Sequence, residues 1–501
     1  MQTNLVRGFL SIVTGKAAIL ALTIIFHPLL VRLIGSSQYG EYTFVVSLLG
    51  VTMMVVNFGI NDGIRKFVAE NRSQPSWSDH VFGFYLRLGI ALSVTAAVLY
   101  LAVDAAGLVE AILGARFTNY VIILAPLIVS RELYSIGRNS LMGLGLENIS
   151  EKVHVAQKFV FTSLALLLAF YEYGAIGVLI GQLAATIFAA AVVLYFVSNK
   201  FELSFAIKPT PQSFPKLDLL KFNSYSAGFI LLSASLYHTD ILLLQPLAGS
   251  SQTGYYKAAL QLAEFLWFVP VALQTALLHS TSEMWSKGQN SRVTEVASRV
   301  TRYSLLFTLL LVLGLWALAD ELIPLYYGEE FTSAILPLLF LLPGSLGFAV
   351  ARPIYSISQG KGDMKPLILA SGLSALINIV LNLVLIPKYG MVGAAIATSI
   401  GYGSMLIFHG FAALRIGFNP FADLRLLRIF VAGGVSSVSI FGLSEIIDGK
   451  IVSLLLVPPT GLIIYAYLAY RLRIVDPDDV SSVWEYVPSR ITTLFSSNAA
   501  K

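Results

Sequence analysis

The sequence predicts an all-α, polytopic membrane protein of about 14 transmembrane helices. Three observations support this: the composition, the alternation of basic loops and an internal repeat. Only 12% of the 501 residues are charged and 56% are hydrophobic, with a mean hydropathy of +0.77. A soluble domain carries roughly a quarter charged residues. The composition therefore excludes a nucleic-acid-binding protein, and the absence of cysteine excludes disulfides and cysteine-ligated metals.

The predicted spans follow from the length of each apolar stretch, since a bilayer core needs about 20 apolar residues per helix. The first stretch lacks a small-residue cleavage site, so we interpret it as a mature helix and not as a signal peptide. No loop is long enough for an extramembrane domain. The spans lie roughly at residues 9–34, 42–60, 82–103, 119–138, 154–171, 175–197, 223–246, 255–279, 304–323, 334–357, 366–386, 390–413, 428–447 and 451–470.

The distribution of Lys and Arg predicts that both termini lie in the cytoplasm. Of the 33 basic residues, 23 fall in the predicted cytoplasmic segments, seven within spans, and three in outer loops, namely Arg116, Lys388 and Lys450. Cytoplasmic loops of membrane proteins carry this excess, and one missed helix would invert every later loop. We therefore expect a multi-pass protein of the cell membrane.

An internal repeat relates the two halves of the chain. Residues 35–42 read GSSQYGEY and residues 249–256 read GSSQTGYY, an offset of 214. Shorter matches pair residues 114–118 with 328–332 and residues 173–177 with 389–393. Six helices per copy make the repeats parallel, with a central cleft between them. The predicted domains are a six-helix bundle over 1–200, a cytoplasmic linker over 201–222, a second bundle over 223–415, two additional helices over 416–470 and a cytoplasmic tail over 471–501.

Four stretches of sequence resemble the polysaccharide-transporter branch of the multidrug/oligosaccharidyl-lipid/polysaccharide flippase superfamily, which includes the O-antigen flippases and is related to lipid II flippases. The resemblance covers essentially residues 1–415, and each motif is weak alone but their order is specific. The stretches are LIGSSQYGEY at 33–42, FGINDGIRKFVA at 58–69, LYYGEEF at 325–331, and NIVLN at 378–382 followed by IPKYGMVGAA at 386–395.

This resemblance implies a flippase that moves a lipid-linked oligosaccharide from the cytoplasmic to the outer leaflet, for surface polysaccharide or glycoprotein glycan synthesis. The implied carrier is a polyprenyl diphosphate in bacteria or a dolichyl phosphate in archaea. Expected partners are this substrate, membrane lipids and a glycan polymerase or oligosaccharyltransferase. Two alternatives remain open: an ion-coupled multidrug or cation antiporter of the same fold, and a membrane-embedded glycan polymerase or ligase. The short loops disfavour an enzyme.

Basic residues inside the spans are candidates for contact with a lipid phosphate, because a buried charge is costly unless it faces water or a partner. Arg131 is the leading candidate, with an inter-helix ion pair to its neighbours as the alternative. Lys158 is expected to extend to the cytoplasmic boundary. The further candidate cations in the cleft are Lys16, Arg87, Arg32, Lys257 and Arg352.

Acidic and histidine residues inside the spans are candidates for ion coupling. The 214-residue offset aligns Asp240 with Phe26, next to His27, so His27 and Asp240 are expected at similar depth. His238 and Glu264 are further candidates, and the coupling ion is a proton or Na⁺. The alternative is a polar pair that only stabilises packing. No other cofactor, metal or catalytic residue is predicted. Asn378 and Asn382, one turn apart, contact the sugar or form interhelical hydrogen bonds.

Overall fold

The structure, a computed structural model, describes residues 2–70, 72 and 74–476, with side chains described outside 2–13, 16–17, 225–235 and 279. Within these residues it is built from helices and contains no strand. Two short 3₁₀ helices cover Leu203–Ala206 and Glu329–Ala334. The α-helices are α1 (Gln2–Asn57), α2 (Ile60–Ala69), α3 (Trp77–Ala105), α4 (Leu108–Leu113), α5 (Arg116–Gly143), α6 (Glu147–Phe170), α7 (Gly174–Ser198), α8 (Lys216–Ala248), α9 (Ser250–Phe265), α10 (Phe268–Ser286), α11 (Asn290–Ala317), α12 (Ala319–Tyr327), α13 (Ile335–Gly360), α14 (Met364–Ile416), α15 (Leu426–Ile446) and α16 (Lys450–Arg471).

The membrane-spanning character of the chain is confirmed. Ten of the described helices are long and apolar enough to cross a bilayer, or eleven if α9 and α10, bent by 51°, form one span. Two of the ten, α1 and α14, each consist of two arms that meet at a glycine with non-helical backbone angles, Gly35 and Gly390. The total of 14 spans and the orientation of the termini stay predictions.

The described residues form two compact units. Unit 1 comprises residues 2–258, 326–334 and 375–398, and unit 2 comprises residues 259–325, 335–374 and 399–476. In unit 1, α7 packs against α5 and α6, α3 packs against α5, and α1 packs against α6 and α8. In unit 2, α13 packs against α10 and α11, while α15 packs against α16 and α11. The division of the chain into two bundles at the linker of residues 201–222 stays a prediction.

The linker is fastened to unit 1 by α3. Arg87 of α3 donates hydrogen bonds from Nη1 to the carbonyl oxygens of Phe205, Ala206 and Lys208, at 2.6, 3.1 and 2.8 Å. Close by, the ring of Phe82 stacks on that of Phe201, with 4.8 Å between centroids. A cation that satisfies the last carbonyl groups of a helical turn stabilises that turn. Arg87 is therefore a structural anchor of the linker.

The first repeated motif forms a reciprocal contact between backbones within unit 1. A Cβ atom on Gly40 would overlap the carbonyl oxygen of Ser250, and a Cβ atom on Gly254 would overlap that of Ser36. Adding the offset of 214 to Ser36 and Gly40 gives Ser250 and Gly254, so the two copies make the same contact in opposite directions. Small residues permit such close approach of helices in membranes.

A second contact is also duplicated. The Gln38 Oε1 atom accepts a hydrogen bond of 2.9 Å from the Ala175 backbone N–H, and the Gln252 Oε1 atom accepts one of 2.9 Å from that of Met391. Each glutamine satisfies a free N–H group at the start of a helical segment. The glycines before these N–H groups have matching positive φ angles, 57° at Gly174 and 54° at Gly390.

Substitution of Gly254 tests the reciprocal contact. Gly254→Ala is expected to lower the free energy of unfolding by about 2 kcal/mol or more, because the added methyl group must push two backbones apart. The control is Gly434→Ala on α15, where a Cβ atom meets no atom within 4 Å. Thermal unfolding in detergent measures both. Equal melting temperatures for the two variants would contradict the close contact.

An ion-pair network in unit 2 joins the middle of α11 to the segment before α15 and to the segment after α16. Arg302 of α11, whose side chain is only 1% exposed, pairs with Asp423 and lies 2.6 Å from Asp476. Arg425 also pairs with both carboxylates, at 2.8 Å each. The hydrogen bond from Arg425 and the charge of Arg302 hold the pKa of Asp423 below its ordinary value. Partial burial raises the pKa of Asp476, but hydrogen bonds from Arg425 and Arg302 outweigh burial and lower it overall.

This network predicts an acid-sensitive contribution to stability. A carboxyl group whose pKa is lowered by folding stabilises the folded state at pH values above the ordinary Asp pKa of about 3.9. The contribution is lost as pH falls through the lower, folded-state value. The melting temperature of wild type should exceed that of the Asp423→Asn, Asp476→Asn variant at pH 7, and the gap should close as pH falls below 4. A gap that is the same at every pH would contradict this, and Asp363→Asn is the exposed control.

Candidate functional site

A buried carboxylate network lies in unit 1 on α8, α9 and α14. The side chain of Asp240 is 1% exposed. One of its oxygens accepts a hydrogen bond from the Tyr256 hydroxyl and lies 3.3 Å from the Thr398 hydroxyl. The other accepts one of 2.9 Å from the Ile241 backbone N–H. The Tyr256 and Thr398 hydroxyl oxygens are 3.0 Å apart, and the Asn378 amide nitrogen lies 3.3 Å from Thr398 Oγ1.

The glycine breaks bring these residues together. Asp240 lies before Gly249, where α8 ends, and Tyr256 lies after it on α9. Asn378 and Thr398 lie on the two arms of α14, which meet at Gly390. Asp240 is nine residues and Thr398 eight residues from its break. At 1.5 Å per residue this is a depth of about 12 to 14 Å. A hydrocarbon core is about 30 Å thick, so a break at the membrane surface would put the network near the middle of the membrane.

The network has spare polar atoms. The Oδ1 atom of Asn378 and both side-chain polar atoms of Asn382 are buried and form no hydrogen bond within the described residues. Asn378 and Asn382 are 1% and 0% exposed. Carboxylate, hydroxyl and amide oxygens are the ligands that hard cations prefer. No group of three or more His, Cys, Asp or Glu side chains among the described residues is arranged to hold a metal ion.

The two histidines have separate surroundings. His27 Nδ1 lies 3.1 Å from the Tyr39 hydroxyl oxygen, and no hydrogen bond joins His27 to Asp240. Phe26, which aligns with Asp240 in the repeat, is 1% exposed. The ring of His238 lies over Gly50, so that a Cβ atom on Gly50 would be 2.7 Å from His238 Nε2. The Nδ1 atom of His238 is buried without a partner in the described chain.

Three cations of unit 1, called here the basic cluster, are Arg131 of α5, Lys158 of α6 and Lys257 of α9. The charges of Lys158 and Lys257 act on His27, and those of Arg131 and Lys257 act on His238. Arg131 and Lys158 repel each other. Three helices of unit 1, α5, α6 and α9, thus bring positive charge close to the two histidines.

The members of the basic cluster differ in their contacts. The Lys158 ammonium lies over the rings of Phe26 and Phe161, 5.6 and 5.1 Å from their centroids. Arg131 is half-buried and forms no hydrogen bond or ion pair with the described residues. The adjacent Glu132 is fully buried, and successive helical positions face about 100° apart. Arg131 is therefore not neutralised by Glu132.

The remaining candidates lie elsewhere. Arg87 binds the linker, outside the basic cluster, and Arg32 is exposed on α1. In unit 2, Arg352 lies over the rings of Phe348 and Trp267, at 4.4 and 5.7 Å, and its Nη1 atom is 3.3 Å from the Gln274 side-chain oxygen. Glu264 is half-buried in the last turn of α9. Lys16 falls on α1, but its side chain is outside those that the structure describes.

Sequence reasoning missed three residues of these arrangements. The position of Lys158 near the end of its predicted span predicts that it extends to the cytoplasmic boundary. That position does not reveal the two phenylalanine rings beside its ammonium group. Tyr256 lies within the repeated motif GSSQTGYY, which is a signal that could have found it. The sequence carries no such signal for Thr398, since threonine is common inside membrane spans and costs little free energy there.

Comparison with known proteins identifies the family. The model of a family described as polysaccharide biosynthesis protein matches residues 29–336, more than half of the chain. The chain belongs to this family. The resemblance inferred from the motifs is thus confirmed, and the proteins similar to this chain include named flippases.

Individual relatives agree in sequence and in fold. The chain is 21% identical over 413 residues to the "Probable low-salt glycan biosynthesis flippase Agl15" of Haloferax volcanii, covering 80% of this chain and 83% of that one. It is 26% identical over 233 residues to the "Probable lipid II flippase MurJ" of Thermotoga maritima, covering 44% and 47%. An inward closed structure of lipid II flippase MurJ shares the fold, with a TM-score of 0.75, 16% identity and coverage of 93% and 99%. An inward-facing multidrug transporter of the MATE family gives a TM-score of 0.64, 14% identity and coverage of 78% and 94%.

The hydroxyl of Tyr256 is expected to stabilise the fold through the buried carboxylate. Tyr256→Phe should lower the free energy of unfolding by about 1 to 3 kcal/mol, because it removes one of the three hydrogen-bond donors to the buried Asp240 carboxylate. Tyr255→Phe is the matched control, since the neighbouring tyrosine makes a ring contact with Phe331 and no side-chain hydrogen bond to the described residues. In an Asp240→Asn background the cost of Tyr256→Phe should shrink. An unchanged cost would mean that the two side chains are not coupled.

Proposed function

We propose that this protein is a flippase that moves a lipid-linked oligosaccharide from the cytoplasmic to the outer leaflet by alternating access. The observation that supports this best is the basic cluster of Arg131, Lys158 and Lys257 on three helices of unit 1. A phosphate or diphosphate linkage is the one strongly anionic part of such a substrate. Membership of the polysaccharide biosynthesis family and the flippase names of its relatives support the same class of substrate.

The basic cluster fits a lipid phosphate by its chemistry. The Arg131 guanidinium can grip two phosphate oxygens at once, while Lys158 and Lys257 contribute point charges. Holding the like charges of Arg131 and Lys158 together is unfavourable until an anion enters, so the substrate relieves their repulsion. Arg32 and Arg352 are proposed to guide the head group outside the cluster, and Lys16 and Arg87 remain candidates by sequence alone. In this proposal the protein has fourteen spans with both termini in the cytoplasm.

We propose further that the Asp240 network holds the ion that couples to transport. Asp240 supplies the charge, Tyr256 and Thr398 supply hydroxyl oxygens, and the spare Oδ1 atoms of Asn378 and Asn382 complete a small oxygen-lined site for Na⁺ or a proton. The two arms of α14 both contribute, so occupancy alters the angle at Gly390. His27, His238 and Glu264 are then auxiliary groups. This assigns Asn378 and Asn382 to the ion and not to the sugar.

A cation antiporter is the second candidate, because structures of multidrug transporters share the fold. A cationic drug requires acidic side chains along its path. The basic cluster would repel it, and the only carboxylate of the Asp240 network is engaged by three hydrogen-bond donors. The charge of unit 1 therefore favours an anionic cargo.

Removal of single charges from the basic cluster tests the substrate site. In proteoliposomes with a short glycan on a polyprenyl phosphate or diphosphate, Arg131→Gln and Lys158→Gln are each expected to slow flipping by about tenfold or more, the worth of one charge-assisted hydrogen bond. Lys152→Gln, an exposed lysine on the same helix as Lys158, should leave the rate unchanged. Equal rates in all three variants would contradict the assignment of the basic cluster.

The coupling proposal has its own test. Wild type should flip faster under an inward gradient of Na⁺ or of protons, whichever it uses. Asp240→Asn keeps the size of the side chain and removes the charge, so it is expected to abolish the dependence on the gradient while retaining downhill flipping. Gradient dependence that persists in Asp240→Asn would contradict this role, even if the basic cluster is correctly assigned.

A further inference from the structure

An arginine-rich cavity lies in unit 2, whereas the basic cluster and the Asp240 network belong to unit 1. It is open on one side, has a volume of about 1020 Å³ and is lined by the loop between α14 and α15 and by the end of α16. The charged side chains of its wall are Asp423, Arg425, Arg428, Arg471, Arg473 and Asp476. Nothing in the proposed transport cycle uses this cavity.

The wall carries excess positive charge. Arg302, behind the wall, and Arg425 each pair with both Asp423 and Asp476, so two cations balance two anions. Arg428 donates only to neutral acceptors, the carbonyl oxygens of Leu472 and Arg473, at 3.3 Å each. It therefore keeps its charge uncompensated.

Two further arginines are available to a ligand. The side chains of Arg471 and Arg473 are exposed and form no hydrogen bond or ion pair with any described residue. The backbone beneath them is fixed, because Arg425 Nη1 donates a hydrogen bond of 2.6 Å to the Arg473 carbonyl oxygen. Together with Arg428 they place three unneutralised guanidinium groups around one cavity, on a rigid base.

The two helices next to the cavity, α15 and α16, have exposed apolar side chains. On α15, Leu427 and Phe430 are 77% and 67% exposed, and on α16, Ile463 and Tyr467 are 68% and 60% exposed. Both helices are among those apolar enough to span a membrane. A ligand that is anionic at one end and apolar along its length matches this combination, whereas a free anion would use only the arginines.

We infer that this cavity binds the phosphate head group of an anionic membrane phospholipid, whose acyl chains lie along the exposed faces of α15 and α16. Basic pockets at the ends of transmembrane helices bind such lipids. The predicted orientation assigns the lipid to the cytoplasmic leaflet. The binding itself does not depend on that orientation or on the proposed flippase function.

Lipid binding to the purified full-length protein in a neutral detergent tests this inference, with native mass spectrometry as the readout. The probes are dioctanoyl phosphatidylglycerol and dioctanoyl phosphatidylcholine. Wild type should bind the anionic lipid more tightly. The Arg471→Gln, Arg473→Gln variant should bind it about 30-fold more weakly, corresponding to about 1 kcal/mol per arginine.

The control variant removes the same net charge elsewhere. Arg292→Gln, Arg415→Gln changes two exposed arginines of unit 2 that do not line the cavity, and it should keep wild-type affinity. Equal melting temperatures of the two double variants establish that the affected one is folded. Equal binding of the two lipids would overturn the inference, and so would an equal loss of affinity in the two double variants. It would also be overturned if inorganic phosphate, or a short polyprenyl phosphate, displaced bound phosphatidylglycerol at a lower concentration than added phosphatidylglycerol does.

Discussion

Charge inside a low-dielectric medium is the constraint on which the arrangement of unit 1 depends. Every ionisable group at mid-membrane needs a partner or water. Asp240 and two of the basic residues of unit 1 meet this need differently. Asp240 is satisfied within the protein by Tyr256, Thr398 and a backbone N–H group. Arg131 has no such partner among the described residues, and Lys158 has only aromatic faces. Arg131 and Lys158 therefore depend on water or on an anionic substrate.

The duplicated turns determine where these groups lie. The reciprocal contact of Gly40 and Gly254 fixes α1 against the start of α9, and Tyr256 follows two residues after Gly254. The glutamine contacts fix α7 and the second arm of α14 in the same way. At the depth of Asp240, however, the first copy carries Phe26. The duplicated scaffold thus supports a carboxylate in one copy and, in the other, a phenyl ring beneath the Lys158 ammonium.

The sequence predicted the fold well because membranes impose simple rules. Length, hydropathy and charge alternation suffice to predict a multi-pass helical chain, and the repeated motifs coincide with matching glycine breaks at Gly174 and Gly390. Asp240 and Arg131 could be singled out as candidates because an ionisable residue in a span is unusual. Thr398 and Tyr256 were not, since neither residue type is costly in a helix. The linker contacts of Arg87 could not be predicted, because its three carbonyl partners lie more than 100 residues away in the sequence.

The most direct measurement compares two cargoes in the same wild-type proteoliposomes. One is a short glycan on a polyprenyl phosphate, detected by a glycan-modifying enzyme added outside, and the other is a cationic dye, detected by its efflux. The account predicts that the anionic glycolipid becomes accessible on the opposite leaflet while the dye stays inside. Efflux of the dye without movement of the glycolipid would contradict the account and establish a cation antiporter instead.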